Sequence, residues 1–553
     1  MNFKLLTLLP VFFFILNLSA QTKLNQSFSV GFEANSQYYI DDDVTGPFEE
    51  DDPFRSNSYL NLGYKLNNFT FGLQLEGYAP QALLNYSPKY DQPVNVGTFS
   101  VAYSKDKWGI TLGHFYEQFG SGMILRSWED RQLGINNAIR GAKFSFQPTD
   151  RIDLTALYGQ QRVGFTVSEG QIFGFDSNFD LSSEENTLQL GLSYVGRYQE
   201  VEDHLEPVVE NLDPITHAFS GRVQFAKNGF YTNLEGVVKS KDALIEAGVQ
   251  YNDKQFFGNS FQVEMGYSQK GFGVVSTLRR MENMSFFSDR LAAGNLYNEQ
   301  IMNYIPGLTK LHDYSLANIY VYQAQPSISF NPSNSKVGEI GGQIDVYYKF
   351  KKETPLGGKY GTKLAFNFSN WYGLDADYNT EYKRLSVSPL GTGEQYFRDF
   401  NIEIRKKINK KMALILVYIN SFYNKTYVEE RAGEIYSNVA VVDMTYKFSR
   451  KQSVRLDAQH IWTEQDKKNW AASTMEFNIN SHFSVFASDM YNYGNEEVSH
   501  RSHYYNLGGS YTKNSSRFAL SYGRQRGGLL CVGGVCREVP AATGLTFNVT
   551  TSF

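Results

Sequence analysis

The sequence predicts an all-β protein, a single transmembrane antiparallel up-and-down β-barrel of about 22 strands, within a range of about 20 to 24. Three observations predict it. The 553 residues include 42 Phe, 38 Tyr and 5 Trp, yet the mean hydropathy is −0.39. Hydrophobicity alternates with a period of two from Gln26 onward, and short connections alternate with long polar ones. Strands with one face in lipid and the other in water explain these features together.

Composition and charge exclude several other classes of protein. Pro accounts for only 15 residues while aromatic residues are abundant, which excludes collagen-like and disordered chains. The net charge of −5 lacks the basic surface that nucleic-acid binding needs, so no nucleic-acid partner is expected. After the first 20 residues, no apolar stretch is long enough for a spanning helix. A large soluble β protein is the alternative to the barrel.

Residues 1–20 are predicted to be a signal peptide. Lys4 precedes an apolar stretch, and Leu18-Ser19-Ala20 forms a cleavage site before Gln21. Residues 21–553 then form the outer-membrane β-barrel. Export places the two cysteines in a compartment where a disulfide can persist.

The strand pattern is clear near the start of the chain. Phe28, Val30 and Phe32 alternate with Ser29 and Glu33. Because successive side chains of a strand point to opposite faces, one face is apolar and the other polar. A helix would need the apolar residues at spacings of three and four.

The connections give the orientation and the strand count. Short turns are predicted on the periplasmic side and long loops outside the cell. The two longest loops span about 163–215 and 282–336, and we interpret the strand-like segments within them, Thr187 to Val195 and Ala317 to Tyr322, as loop structure. A barrel of 24 strands is the alternative.

Loop 282–336 is the candidate for closing the lumen. Phe286 to Met302 could form a helix that folds inward, and a cap outside the barrel is the alternative.

Two further features favour lipid over a soluble core. No linker or change of composition divides the mature chain, although soluble cores usually split into domains at this length. Trp108, Trp371, Trp462 and Trp470 stand at strand ends, where aromatic girdles meet the membrane interfaces. The predicted location is the cell outer membrane, with its lipid as the first partner.

The polar face of the strands should line the lumen. Its candidate charged side chains alternate with apolar residues in the clearest strands: Arg222, Glu264, Asp345, Lys349, Glu403, Arg405, Asp443, Arg455, Asp457 and Glu476. The wider set of inward candidates also includes Lys65, Lys143, Lys239, Lys363, Lys447, Arg517, Glu76, Asp153, Glu235 and Asp489. It contains ten basic and ten acidic residues, so no anion or cation selectivity is predicted. Pairing across strands is the simpler interpretation of these charges.

The first external loop concentrates acidic residues: Asp41, Asp42, Asp43, Glu49, Glu50, Asp51 and Asp52. Oxygen ligands at this density could bind Ca²⁺, but the spacing differs from that of an EF-hand. A solvated acidic loop is the better interpretation.

Cys531 and Cys536 flank Val-Gly-Gly-Val, a turn flexible enough to bring the two thiols together. A disulfide is predicted, because a zinc site would need further ligands. The external loop that it pins carries the apolar residues Leu529, Leu530, Val532 and Val535, which suggest a contact with another protein or with the barrel rim.

Motifs of catalysis and cofactor binding are not found. His500 and His503 lie beside serines in one small loop, and a surface pair is the better interpretation. No nucleophile elbow, metalloprotease helix or phosphate-binding glycine loop is present. We therefore expect neither an enzyme nor a bound cofactor.

The C-terminal region carries a resemblance. Tyr522-Gly523-Arg524-Gln525-Arg526-Gly527-Gly528 is followed by Cys531-Val-Gly-Gly-Val-Cys536-Arg537-Glu538-Val539-Pro540-Ala541, and the last alternating strand ends with Phe553. The chain resembles an uncharacterised Bacteroidota family of outer-membrane β-barrel proteins. This resemblance implies fold and location and brings no activity.

The sequence thus supports two functional hypotheses. The first is a porin-like channel, passive or loop-gated, for small polar solutes. The alternative is a non-conducting structural partner that docks other envelope proteins through its extracellular loops.

Overall fold

The computed structural model describes residues 26–48, 52–84, 86–201, 212–246, 249–292, 298–379 and 384–553. The predicted signal peptide and Glu49, Glu50 and Asp51 of the acidic loop lie outside these ranges. Among the residues described, no helix has the length and apolarity needed to cross a membrane.

Twenty-four antiparallel strands form one closed sheet, and we number them β1 to β24. The first twelve are Gln26–Tyr39, Phe54–Leu66, Phe69–Tyr78, Val94–Lys105, Trp108–Phe115, Ile139–Thr149, Ile152–Val163, Thr166–Asp180, Thr187–Tyr198, Ile215–Lys227, Phe230–Glu246 and Val249–Gln269. The second twelve are Phe272–Glu282, Gly338–Lys349, Thr362–Asn379, Arg384–Lys407, Met412–Asn424, Glu434–Lys447, Ser453–Trp462, Trp470–Asn478, Phe483–Tyr491, His503–Lys513, Ser516–Gln525 and Ala542–Ser552. Strand β1 pairs with both β2 and β24, which closes the barrel.

The predicted fold class is confirmed, and the strand number is 24 rather than the preferred 22. Most of the segment interpreted as loop 163–215 forms β8 and β9, so Thr187–Tyr198 is a barrel strand. The strand count was underestimated because the external turn between β7 and β8, residues 164–165, has only two residues and does not show the length expected of an external loop. Ala317 to Tyr322 forms no strand, and its first two residues are the end of the short 3₁₀ helix Ser315–Asn318.

Side chains on the two faces of the barrel differ as the alternation requires. On β10, Phe219 faces outward and is 50% exposed, whereas its neighbour Ser220 faces inward and is 4% exposed. Leu192 and Leu520 lie on the same outer surface, 60% and 55% exposed. An apolar exterior of this kind is stable only in lipid, because water would surround every one of these side chains.

The aromatic girdle was predicted only in part. Trp108 and Trp462 point outward, as expected for interfacial side chains. Trp371 and Trp470 point inward and are almost completely buried. Their rings are covered by a loop inside the lumen, which a strand pattern cannot reveal.

The connecting segments contain few other elements. Within the described ranges, the helices are α1, Lys425–Val428, and the 3₁₀ helices Arg290–Ala292, Ser315–Asn318 and Val498–His500. Short antiparallel pairs join Gln118–Phe119 to Leu125–Arg126, Glu129–Asp130 to Ile135–Asn136, and Gly528–Val532 to Val535–Val539.

The possible inward helix at 286–302 is not formed in the part that the structure describes. Instead, Phe287 pairs with Ile301 and the Met302 amide donates to the Phe286 carbonyl, so the two halves run antiparallel.

The cores of the protein lie inside the barrel. Residues 116–138, between β5 and β6, and the described parts of residues 283–337, between β13 and β14, pack against the inner wall. We name these segments the first insert and the second insert. Because they enter from the side of the long loops, they fill the lumen from the extracellular end.

Candidate functional site: the occupied lumen

The first insert reaches deep into the barrel. The Ser121 amide donates to Glu235 Oε2 at 3.0 Å, and Ser220 Oγ donates to the other oxygen of the same carboxylate at 2.8 Å. Glu235 lies five residues from the periplasmic start of β11 at Phe230. The insert therefore extends to about 17 Å of strand length from the periplasmic rim.

An apolar cluster fixes this insert to the wall. Phe119, Met123 and Leu125 of the insert are 1–2% exposed and pack against inward residues of β7 to β13, including Ile172 and Ala218. Burying such side chains stabilises the packed state by about 1.5–3 kcal/mol each.

The second insert descends along a different part of the wall, at β18 and β19. The Tyr314 hydroxyl donates to Asp443 Oδ2 at 3.2 Å, and the Leu316 amide donates to Gln459 Oε1 at 3.0 Å. Asp443 lies only four residues from the periplasmic end of β18 at Lys447. This insert thus also approaches the periplasmic mouth.

Burial changes the titration of one group at the tip of the second insert. The pKa of His312 is lowered to about 4, first by burial and then by the neighbouring charge of Lys310, against the opposing effect of Glu403 and Asp313. Nε2 of His312 is buried without a hydrogen-bond partner within the described structure. The imidazole is therefore neutral at neutral pH.

Aromatic stacking anchors the middle of the second insert. Tyr322 stacks on Trp371 and on Phe397, with ring centroids 5.9 and 5.1 Å apart. The indole Nε1 of Trp371 donates to the carbonyl of Leu308 at 3.0 Å. The inward Trp371 thus contacts both the backbone and a side chain of the second insert.

The two inserts also bond to each other. The Arg126 amide donates to the Met302 carbonyl and the Tyr304 amide to the Gly122 carbonyl, both at 2.8 Å. The Arg126 guanidinium lies 3.8 Å from the centre of the Tyr304 ring. The inserts therefore form one continuous body inside the barrel.

The predicted lumen charges near the first insert lie on the inner wall. Arg222 Nη2 donates to Asp176 Oδ1 at 2.7 Å, and Nη1 of the same guanidinium donates to Ser193 Oγ. Glu264 accepts a hydrogen bond of 3.2 Å from the amide of Asn233.

A second group of predicted charges lies on β14 to β16. Asp345 accepts hydrogen bonds from Gln343 and Asn367. Glu403 and Arg405 form an ion pair with each other. Lys349 stands exposed at the periplasmic end of β14.

The remaining predicted charges form a chain across β18 to β20. Arg455 Nε donates to Asp443 at 3.0 Å, and Nη1 donates to Glu476 at 3.1 Å. Asp457 stands opposite Asp443 in the strand register and accepts a hydrogen bond of 2.7 Å from Gln459. Most of these charges are thus neutralised within the protein.

The acidic loop folds back on the barrel rim. Asp42 is paired with Arg524 at 2.7 Å. Burial alone would raise the pKa of Asp42, but hydrogen bonds from Arg524 and the Val44 amide lower it overall. The carboxylates of Asp41 and Asp52 accept hydrogen bonds from loop amides, and Asp43 is exposed. Within the described ranges, no cluster of three or more metal-binding side chains is found.

Cys531 and Cys536 stand opposite each other in a hairpin, with sulfur atoms 2.01 Å apart. We name residues 528–539 the disulfide hairpin. Leu529 and Leu530 are half-buried. The hairpin therefore does not present a fully exposed apolar tip.

The disulfide hairpin touches both inserts. Arg537 donates to the carbonyl of Leu133 in the first insert. Tyr304 of the second insert donates to the Gly533 carbonyl, and Asn298 donates to the Cys536 carbonyl at 3.0 Å. The disulfide hairpin thus forms hydrogen bonds with both inserts at their extracellular end.

One sector of the inner wall stays uncovered. On β10, the inward side chains of Thr216 and Ala218 are 0 and 1% exposed because the inserts cover them. On β23, by contrast, Ser521 is half-buried and the inward Arg517 and Gln525 are exposed. We name the inner face of β21 to β24 and β1 the open sector.

A cavity of about 300 Å³ lies in this sector. Its inward-facing lining is uncharged and polar, including Gln37, Asn506, Ser521, Gln525 and Thr546. These residues were not among the predicted site residues. Alternation with Leu520, Leu545 and Phe547 gives their inward direction, but only the path of the inserts decides that they remain uncovered.

A closed barrel with an apolar exterior and a polar interior defines an outer-membrane β-barrel protein, located in the cell outer membrane. More particularly, the chain belongs to a family of unknown function, DUF6029, whose pattern matches residues 1–553. No curated protein matches the sequence.

Several solved barrels are similar in structure. The translocation pore of the P pilus usher PapC has a TM-score of 0.46 at 9% identity, covering 95% of this chain and 99% of that one. The siderophore receptor PirA from Pseudomonas aeruginosa has 0.43 at 8% identity, covering 96% and 81%. OccK3 (OpdO) from the same organism has 0.36 at 8%, covering 84% and 96%.

Proposed function

We propose that this protein is a narrow, passive channel for small polar solutes. The observation that carries the proposal is the open sector, the part of the inner wall that the inserts leave uncovered. A solute would pass between this wall and the inserts, past side chains such as Ser521 and Thr546 that offer hydroxyl and amide groups without charge. Hydrogen bonds to such groups replace part of the hydration of a polar solute.

The packing of the inserts favours a fixed constriction over a moving gate. Displacing the second insert would expose Leu316, Tyr322 and Trp371 together, each of them at most 1% exposed. Each side chain gains about 1.5–3 kcal/mol from burial. A path beside the inserts needs no such displacement.

The alternative function, docking of other envelope proteins through the extracellular loops, has less support. The disulfide hairpin is held by the inserts, and Asp42 of the acidic loop is paired with Arg524. Both loops thus already form hydrogen bonds or ion pairs within the chain, which leaves fewer polar groups to bind a partner protein.

Planar-bilayer recording and liposome swelling test the channel. The purified barrel should show stable small conductance and should admit small uncharged sugars. Ser521→Trp with Thr546→Trp should lower both signals severalfold, because two indoles would occupy much of a 300 Å³ cavity.

The matched control is Leu520→Trp with Phe547→Trp. These opposite neighbours face lipid at 55% and 43% exposure and do not line the cavity, so the control should conduct as the unmodified protein does. A folded barrel that is silent in bilayers would refute the channel, as would equal effects of the two double variants.

A further inference from the structure

Three neighbouring turns on the periplasmic side are strongly basic. Residues 350–361, 408–411 and 448–452 contain seven basic side chains and one acidic one, Glu353. All seven are exposed. The whole chain has a net charge of −5, so this concentration is local. We name these three turns, with the adjoining ends of β14 to β19, the basic rim.

Strand ends add more positive charge to the same place. Lys349 stands opposite Lys363, and Lys363 stands opposite Arg405, in the register of β14, β15 and β16. Like charges in directly opposite positions repel each other and weaken a sheet. Arg405 is paired with Glu403, whereas no ion pair of the two lysines is found among the described residues. An anionic partner would remove this repulsion.

Lipid headgroups fit this arrangement poorly. Lys349, Lys363, Lys407 and Lys447 share the inward strand positions of Asp345, Glu403 and Asp443, so they point away from the bilayer. Headgroups also surround the whole barrel, whereas the turns 67–68 and 479–482 carry no Lys, Arg, Asp or Glu. The charge is concentrated in one sector and directed toward the aqueous mouth.

We propose that the basic rim docks an acidic segment, rich in Asp and Glu, of a periplasmic protein. Clustered charge of one sign raises the local concentration of an oppositely charged partner and speeds its association. Exposed lysines on separate turns suit an extended acidic chain better than a single small anion. The rim adjoins the tip of the second insert, where Tyr314 contacts Asp443.

The test uses the full-length barrel in nanodiscs of zwitterionic lipid and a fluorescein-labelled peptide of alternating Glu and Gly. Fluorescence anisotropy should show saturable binding that weakens as salt increases. In the rim variant, Lys351, Lys352, Lys410 and Lys411 are changed to Glu. Its affinity for the peptide should fall roughly tenfold or more, because four attractive contacts become repulsive.

A control variant carries the same change of charge outside the basic rim, on other periplasmic turns. In it, Lys105, Lys107, Lys227 and Lys270 are changed to Glu. Its affinity should stay within about threefold of the unmodified barrel. The proposal is overturned if the unmodified barrel does not bind the peptide, or if both variants lose affinity equally. It is also overturned if native mass spectrometry shows that the rim variant loses bound phosphatidylglycerol while peptide affinity is unchanged, which would assign the rim to lipid.

Discussion

Arg279 on β13 and Glu339 on β14 form an ion pair of 2.9 Å in which the two side chains are 1% and 0% exposed. These strands flank the second insert, so the pair joins the two ends of a 55-residue excursion into the lumen, residues 283–337. The same guanidinium donates to the Pro306 carbonyl at 2.8 Å, and Glu339 accepts hydrogen bonds from Tyr322 and from the Gln325 amide. This one buried ion pair thus connects two neighbouring strands of the wall and also forms hydrogen bonds with the second insert.

The first prediction concerns this pair. Glu339→Gln would leave the Arg279 charge buried without its counter-charge, at a cost of about 3–5 kcal/mol. We expect a lower unfolding temperature and faster trypsin cleavage at Lys310 in the second insert. Calorimetry and timed proteolysis would measure the two effects.

Glu282→Gln is the matched control for this experiment. Glu282 pairs with Arg280 at 2.9 Å, but these side chains are 15% and 17% exposed and lie outside the insert contacts. Glu282→Gln should lower the unfolding temperature, and accelerate cleavage at Lys310, much less than Glu339→Gln does. Equal protection of Lys310 in both variants would show that the buried pair does not hold the insert.

The second prediction concerns the disulfide hairpin. A disulfide that closes so short a loop contributes about 2 kcal/mol in the chain-entropy model. Cys531→Ser with Cys536→Ser should therefore loosen the hairpin locally while the barrel melts near its original temperature. Trypsin should cut faster after Arg537, whose guanidinium is 2% exposed at the first insert.

Reducing agent provides the control, since it should accelerate cleavage of the unmodified chain and leave the double-serine variant unchanged. If cleavage after Arg537 is equally slow in both chains under oxidising conditions, the contacts to the inserts hold the hairpin without the disulfide.

The third prediction concerns pH. The pKa of His312 is lowered to about 4 in the folded protein, from an ordinary value near 6.5. Between these values the unfolded chain binds the proton more readily, so stability falls as pH decreases from about 6.5 to 4, by at most about 3 kcal/mol. Above this window His312 is neutral in both states and contributes no pH dependence.

His312→Gln removes this titration. The unfolding temperatures of the variant and of the unmodified barrel, measured at pH 7, 5 and 4, should converge or cross as the pH falls, because only the unmodified protein acquires the buried charge. A constant difference across the three pH values would exclude a role for His312 in acid sensitivity.

Alternation was enough to predict the barrel, because lipid on one side and a polar interior on the other impose a period of two at positions such as Phe219 and Ser220. It failed at β8 and β9 because the extracellular turn between β7 and β8 is as short as a periplasmic one. It also failed at Trp371 and Trp470, since a buried indole and an interfacial indole occupy similar places near strand ends. The candidate lumen charges, such as Arg222 and Asp443, lie on the inner wall because strand geometry alone fixes their direction.

The sequence by itself determined the membrane-spanning β architecture, the face on which the side chains of most strands lie and the basic character of three periplasmic turns. Only the tertiary structure decided that two extracellular loops occupy the lumen, that Arg279 and Glu339 meet beneath one of them, and that the open sector stays uncovered. The physical reason is the range of the interactions. Strand alternation is set by neighbours one and two residues apart, whereas the path of an insert depends on contacts such as that between Leu308 and Trp371, which are 63 residues apart in the chain.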